Sequence, residues 1–226
     1  MKTFLLLFLF LSVTVASSQN KEPATNQPDT RLVGQTIRKN SALANKPKGS
    51  PYSQNMFIAA KVKNITNATF VRYNIFADEF EFITPKNDTL IMDKLEDFGT
   101  ISLNGSNKKY TLSTYTKNGK LFYGYLIPVY EKGNYGILRK ENITFYEEKP
   151  AKTSLEVTQP ARYSKIDDTW FLKSEKSITE FPENKKQLIK LYPTKKEAIE
   201  SFLKENKLSF DEENGRIKLV DFLTNL

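Results

Sequence analysis

The sequence predicts an α+β fold: a curved antiparallel β meander, built as an open sheet or partial barrel, followed by a C-terminal bundle of two to three short helices. Three observations lead to it. Between Pro51 and Lys173, short runs rich in β-branched and aromatic residues recur. Asn104-Gly105 and Asn118-Gly119 separate some of these runs with dipeptides suited to tight turns of positive φ. After Ser174 the apolar spacing lengthens from two residues to three or four, the period of a helix.

The elements follow in order. Strands are expected at Phe57–Val62, Thr69–Phe76 and Asp78–Ile83. Spacing places Phe76, Phe80 and Phe82 on one strand face and Glu79 and Glu81 on the solvated other. Asp78 would fall on the apolar face of an unbroken strand, so a bend or bulge is expected there. Further strands are read at Thr89–Met92, Gly99–Leu103, Lys109–Tyr115, Leu121–Tyr130, Tyr135–Arg139 and Ile143–Tyr146, then at Ser154–Val157, Ala161–Lys165 and Thr169–Lys173. Short turns make consecutive strands antiparallel neighbours. The run Leu121–Ile127 is apolar on both faces, as in a strand covered on both sides, and Gly124 within it implies curvature or close approach by another group.

Residues 174–226 form the helical segment, expected to pack on the sheet. A first helix covers Glu183–Tyr192. Thr194 with Glu197, and Ser209 with Glu212, read as capping boxes for two more. Their apolar stripes are Ala198, Ile199, Phe202 and Leu203, then Ile217, Val220 and Leu223.

Residues 1–18 read as a cleavable signal peptide. Lys2 supplies a positive charge, Phe4–Leu11 an apolar run, and Ala16-Ser17-Ser18 a small-residue cleavage site. The run is shorter than the roughly 20 residues a membrane-spanning helix needs, so no transmembrane segment is expected once the signal is removed. Residues 19–50 are polar, with little apolar periodicity, and read as a flexible linker; residues 51–173 form the β domain. The expected destination is export, to the periplasm, the outer-membrane surface or the medium.

The formal charge is +8. Residues 19–50 carry six basic against two acidic residues, and residues 51–173 carry 17 against 14. Residues 174–226 carry ten of each. Half of the excess thus lies in the linker, which argues against nucleic acid as a partner, since that needs basic residues gathered on one face.

The sequence has no His and no Cys. Serine–histidine and cysteine–histidine nucleophiles, zinc sites of the usual ligands, disulfides and a lipoprotein cysteine are therefore excluded. No phosphate-cradling glycine loop occurs. No catalytic, cofactor-binding or metal-ligating residue is assigned, and no cofactor is expected. Carboxylate chemistry remains open: Asp78, Glu79 and Glu81 cluster, as do Asp93, Glu96 and Asp97, and Asp167 with Asp168. A glycosidase would need two such groups flanking a sugar beside an aromatic platform. Neither Asp93–Asp97 nor Asp167-Asp168 matches an ordered calcium loop. Tyr115, Tyr123, Tyr125, Tyr130 and Tyr135 could line a ligand groove on the curved sheet or serve as ordinary core residues.

Three stretches in combination carry a resemblance: Lys48-Gly49-Ser50-Pro51-Tyr52, Arg72–Phe82, and the C-terminal Lys185–Leu191 through Ser201–Leu208 and Ile217–Leu223. Over residues 48–226 they resemble a family of uncharacterised secreted proteins of Bacteroidetes, especially flavobacteria. The resemblance implies an envelope or extracellular setting and carries no site residues. The resulting expectation is a non-catalytic secreted or periplasmic protein, a binding or interaction module whose partner is an envelope protein or a small apolar ligand. The alternative is a carbohydrate-active hydrolase using paired carboxylates.

Overall fold

The computed structural model describes residues 47–226. The expected signal peptide and nearly all of the linker lie outside the described residues. Lys48, two residues before the expected linker boundary, already pairs with the chain near Arg162 through hydrogen bonds to Ala161 and Tyr163.

Among the described residues ten strands form one sheet, consistent with an α+β fold of meandering strands followed by short helices. They are β1 (Ile58–Val62), β2 (Thr69–Asn74), β3 (Glu79–Ile83), β4 (Thr89–Ile91), β5 (Thr100–Leu103), β6 (Lys109–Lys117), β7 (Lys120–Lys132), β8 (Tyr135–Tyr146), β9 (Arg162–Lys173) and β10 (Ile178–Glu180). The helices α1 (Lys185–Leu191), α2 (Lys196–Asn206) and α3 (Glu213–Thr224) follow.

The spatial order is β10-β9-β8-β7-β6-β5-β1-β2-β3-β4. Two features depart from a simple meander. The chain returns from the edge strand β4 to lay β5 beside β1. β10 also meets β6 in parallel, so β6 to β10 close on themselves. Inside this closure lie Tyr115, Leu126, Leu138 and Phe171. On the opposite face of β6 and β7, Tyr110, Tyr125 and Ile127 join Val71, Tyr73 and Phe80 in a second core. That double covering explains why much of β7 is apolar on both sides, although Leu121 and Phe122 at its start stay exposed.

The β6–β7 hairpin turns on Asn118 (φ 50°) and Gly119 (φ 71°), a two-residue turn with both φ positive whose twist matches the strands. The helices bury Leu188, Ile199, Val220 and Leu223 against Ile137 and Leu172 of β8 and β9, removing the apolar stripe of the tail from water.

Several expectations need correction. Ser154–Val157 is a turn, with Leu155 and Val157 almost fully exposed and no strand beside them among the described residues. Tyr135–Arg139 and Ile143–Tyr146 are one strand, as are Ala161–Lys165 and Thr169–Lys173, because a bulge carries the ladder across the polar residues between them. Lys140 pairs with Thr169 and Asn142 with Ile166, so β9 spends three steps where β8 spends two. Neither capping box forms. Thr194 lies inside a 3-10 turn, Pro193–Lys195, that runs straight into α2. Ser209 Oγ accepts the Asp211 N–H in a local turn before α3. The working cap is Asn184, whose side chain accepts the Gln187 N–H.

Candidate functional site

The apolar pocket at the open end of the second core is the best-formed candidate site. It is a concavity of about 500 Å³, open to solvent on one side, between the β1–β2 connection, the end of β3 and the segment leading to β5. Ile65, Phe70, Phe82, Met92 and Phe98 supply most of its walls. Ile65, Phe82 and Phe98 also pack on the core, which fixes their position. Phe70 by contrast is 54% exposed, a large aromatic left facing solvent beside the opening. Asp93 is among the few polar groups of the lining, and burial raises its pKa. A concave apolar wall with a small number of polar groups is the usual form of a small-molecule site.

The acidic residues singled out in the sequence do not converge on this pocket, apart from Asp93. Asp78 sits in the β2–β3 turn at φ +55° and projects against β7 and β8. Its Oδ1 accepts the Tyr73 hydroxyl at 2.6 Å, the Lys140 Nζ at 2.8 Å and the Tyr125 backbone N–H at 3.3 Å. Its Oδ2 accepts Lys94 Nζ at 2.9 Å. One carboxylate thus ties four segments together and neutralises part of two ammonium groups. Burial lowers the pKa of Lys140, and the attraction of Asp78 only partly restores it. Burial raises the Tyr115 hydroxyl nearby.

Glu81 does not lie on a solvated face. It is 5% exposed, faces Arg72 across the β2–β3 ladder and accepts Arg72 Nε at 3.1 Å and the Tyr52 hydroxyl at 2.8 Å. Arg72 in turn sits over the rings of Tyr52 and Phe57. Glu79 is half-buried, and desolvation raises its pKa. Asp97 accepts the side-chain amide of Asn64 at 3.0 Å. Asp167 and Asp168 stand at the β9 bulge beside Trp170, and Asp168 pairs with Arg139 at 3.3 Å.

Sequence reasoning did not single out Glu141, which is 4% exposed and accepts Lys108 Nζ at 2.6 Å and the Tyr110 hydroxyl at 2.8 Å. The only signal for it was an acidic residue in a gap between two strand-like runs. Among the tyrosines, Tyr115 and Tyr125 are buried in the two cores. Tyr130 donates to Asp221 of α3 at 2.6 Å, and Tyr123 remains 37% exposed. They do not form one groove.

Among the described residues, no three carboxylates gather as metal ligands, and no helix is long and apolar enough to cross a membrane. No family model, curated protein or solved structure matches the chain.

Proposed function

We propose that this chain is an exported, non-catalytic binding protein of the cell envelope that takes a small apolar ligand in the pocket walled by Phe70, Phe82, Met92 and Phe98. The pocket is the observation that carries the reading: about 500 Å³ lies within the range, on the order of 300–1,000 Å³, of sites that enclose a drug-sized molecule. The signal-like N-terminus and the lack of His and Cys support export and a binding role. Removing apolar ligand surface from water supplies the affinity, and Asp93 offers one polar contact for orientation. Of the carboxylates considered for a hydrolase, Asp78, Glu81 and Asp168 are engaged by cations; Asp167 and Asp168 do share a cleft with Trp170, but the guanidinium groups of Arg216 and Arg139 already stand by that ring.

The test is titration of the purified protein with dodecanoate and with 1-aminoanthracene, alongside native mass spectrometry of protein taken from its own host. Ala68 lines the pocket from an exposed loop, so Ala68→Trp fills the space without disturbing the core. Saturable binding that Ala68→Trp weakens about tenfold, or 1.4 kcal/mol, is expected. Absence of binding to both probes, or binding unchanged in the filled variant, overturns the reading.

A further inference from the structure

A second concavity, an open cleft of about 980 Å³, lies towards the other end of the sheet, between β9 and the start of α3. Its character is opposite to that of the apolar pocket. Arg216 of α3 reaches into it and is only 9% exposed. The guanidinium carbon stands 4.3 Å from the ring centroid of Trp170 and 5.8 Å from that of Phe181. Two aromatic faces thus hold a planar cation in place.

What Arg216 lacks is a counter-charge. Its Nε is buried without a hydrogen-bond partner, and no carboxylate forms an ion pair with it, among the described residues. Burial lowers its pKa, with Asp211 and Glu213 near enough to oppose the shift. A buried Nε left without an acceptor is costly, because its desolvation is not offset. Its fork of donors matches a carboxylate in bidentate geometry.

The second unmet group is an acceptor. Asp168 touches Arg139 through Oδ2, while its Oδ1 and the Nε of Arg139 are both buried and have no partner among the described residues. The β9 bulge supplies an extra residue at this point, the local irregularity that re-aims a side chain. Asp168 lines the same cleft as Arg216. The carboxylates of Asp167, Glu180, Glu183 and Asp211 complete an acidic wall, against which Lys165 is the one further cation among the described residues that line the cleft. Such a wall repels polyanions and draws in cations. Arg216 covers one face of Trp170 at 4.3 Å and the Arg139 guanidinium stands 6.0 Å from the ring centroid, so cations compete with a sugar for the indole.

We propose that this cleft is a second binding site, for a ligand carrying a free carboxylate close to a cationic amine, the chemistry of a basic amino acid or of the C-terminus of a basic peptide. The carboxylate pairs with the Arg216 guanidinium held against Trp170. The amine faces Asp168 Oδ1 and the acidic wall. Arg216 and Asp168 then each gain the partner they lack. The inference is independent of the apolar pocket, since the two sites share no residue.

Isothermal titration of the full chain tests it with four probes: L-lysine, the tripeptide Gly-Gly-Lys, its C-terminal amide, and its Nε-acetyl form. Binding of L-lysine or Gly-Gly-Lys is expected, with the amide and the acetylated peptide each weaker by about tenfold or more. Equal binding of L-lysine and the tripeptide identifies a free amino acid as sufficient, whereas binding of the tripeptide alone identifies a peptide terminus. Arg216→Lys keeps the charge and removes the fork, and is expected to weaken binding of the free acid by about tenfold. Asp167→Asn changes an exposed wall residue whose charge does not bear on Arg216 and guards against loss of fold there; it should weaken the lysine ligands severalfold and leave the acetylated peptide unchanged. Equal affinity for acid and amide, an Arg216→Lys protein that melts as the parent does and binds undiminished, or no heat with any probe overturns the proposal.

Discussion

Gly124 of β7 lies directly against the side chain of Asp78, and a Cβ at Gly124 would overlap Asp78 Oδ2. The φ of Gly124 is not the reason for glycine here; space is. A methyl group would force the Asp78 carboxylate away from the backbone N–H of Tyr125 and from Lys94 and Lys140. Gly124→Ala is therefore expected to destabilise the fold by about 2–4 kcal/mol, from overpacking together with weakening of a half-buried ion-pair cluster. Urea denaturation measures the loss. In a double-mutant cycle with Asp78→Ala the two effects should be strongly non-additive, because both act on one contact. Additive losses would mean that the two residues do not meet.

The sequence anticipated part of this relationship. The alternation of Phe80 and Glu81 showed that Asp78 could not continue its strand, and Gly124 in an apolar run implied close approach by something. Nothing local in either segment named the other, because the contact spans 46 positions and depends on how the sheet curls. The strands of the β domain were legible for a related reason: alternation and turn dipeptides are local signals, and the I′ turn at Asn118-Gly119 forms where it was expected. The return of β5 to β1 and the closure of β10 on β6 are long-range choices with no local signature. β10 is three residues long and was missed altogether. The Arg216–Trp170 pairing was illegible too, since a single arginine in a charge-balanced tail looks like any solvated residue. Phe70, Phe82 and Met92 read as strand residues, and only the folded arrangement leaves space between them.

Raising the pH should unfold the protein through its tyrosines. Burial raises the pKa of Tyr52 to about 12 and of Tyr192 to about 12, and raises those of Tyr73, Tyr110, Tyr115 and Tyr125 as well. In the unfolded chain these hydroxyls ionise near pH 10. Above that pH the native state holds more protons than the unfolded state, so stability falls as pH rises. The depressed pKa of Lys140 acts in the opposite sense: between its folded value and the unfolded value near 10.4, stability rises with pH. Six tyrosines outweigh one lysine once pH passes about 10. Thermal melts across pH 8–12, read beside tyrosinate absorbance, should show a flat or slightly rising Tm followed by a steep decline. Full tyrosine ionisation in a still-folded protein would contradict the burial.

Gly215 offers a case in which helix propensity predicts the wrong sign. It lies in the first turn of α3, where Ala would ordinarily stabilise a helix by about 1 kcal/mol over Gly. A Cβ there would overlap the backbone carbonyl of Ser209, which cannot swing aside as a side chain can. Gly215→Ala is expected to lower stability by about 1–3 kcal/mol and to displace the turn at Ser209 from α3. Arg216 is the next residue, so the fluorescence of Trp170, the sole tryptophan, should change with it. Guanidinium denaturation followed by tryptophan emission measures both, and a stabilised variant with unchanged emission would refute the close approach.

Glu141 should be the residue whose neutralisation most clearly separates charge from shape. Burial alone would raise its pKa, but hydrogen bonds from Lys108 and Tyr110 outweigh burial and lower it. A carboxylate whose folded pKa is depressed contributes stability above the unfolded value near 4.3, and that contribution is lost as pH falls through the folded value. Glu141→Gln keeps the volume and one acceptor for Tyr110 while removing the charge opposite Lys108. Lys108 is 36% exposed at its side chain and can recover some hydration, so the expected cost at pH 7 is about 1–3 kcal/mol, below that of a fully buried pair. The difference between parent and variant should shrink as pH drops below 4, since protonation gives the parent the same neutral group. Parallel urea titrations at pH 7 and at successive acidic values measure that convergence. A gap that stays constant with pH would place the cost in packing of the amide rather than in the Lys108–Glu141 charge pair.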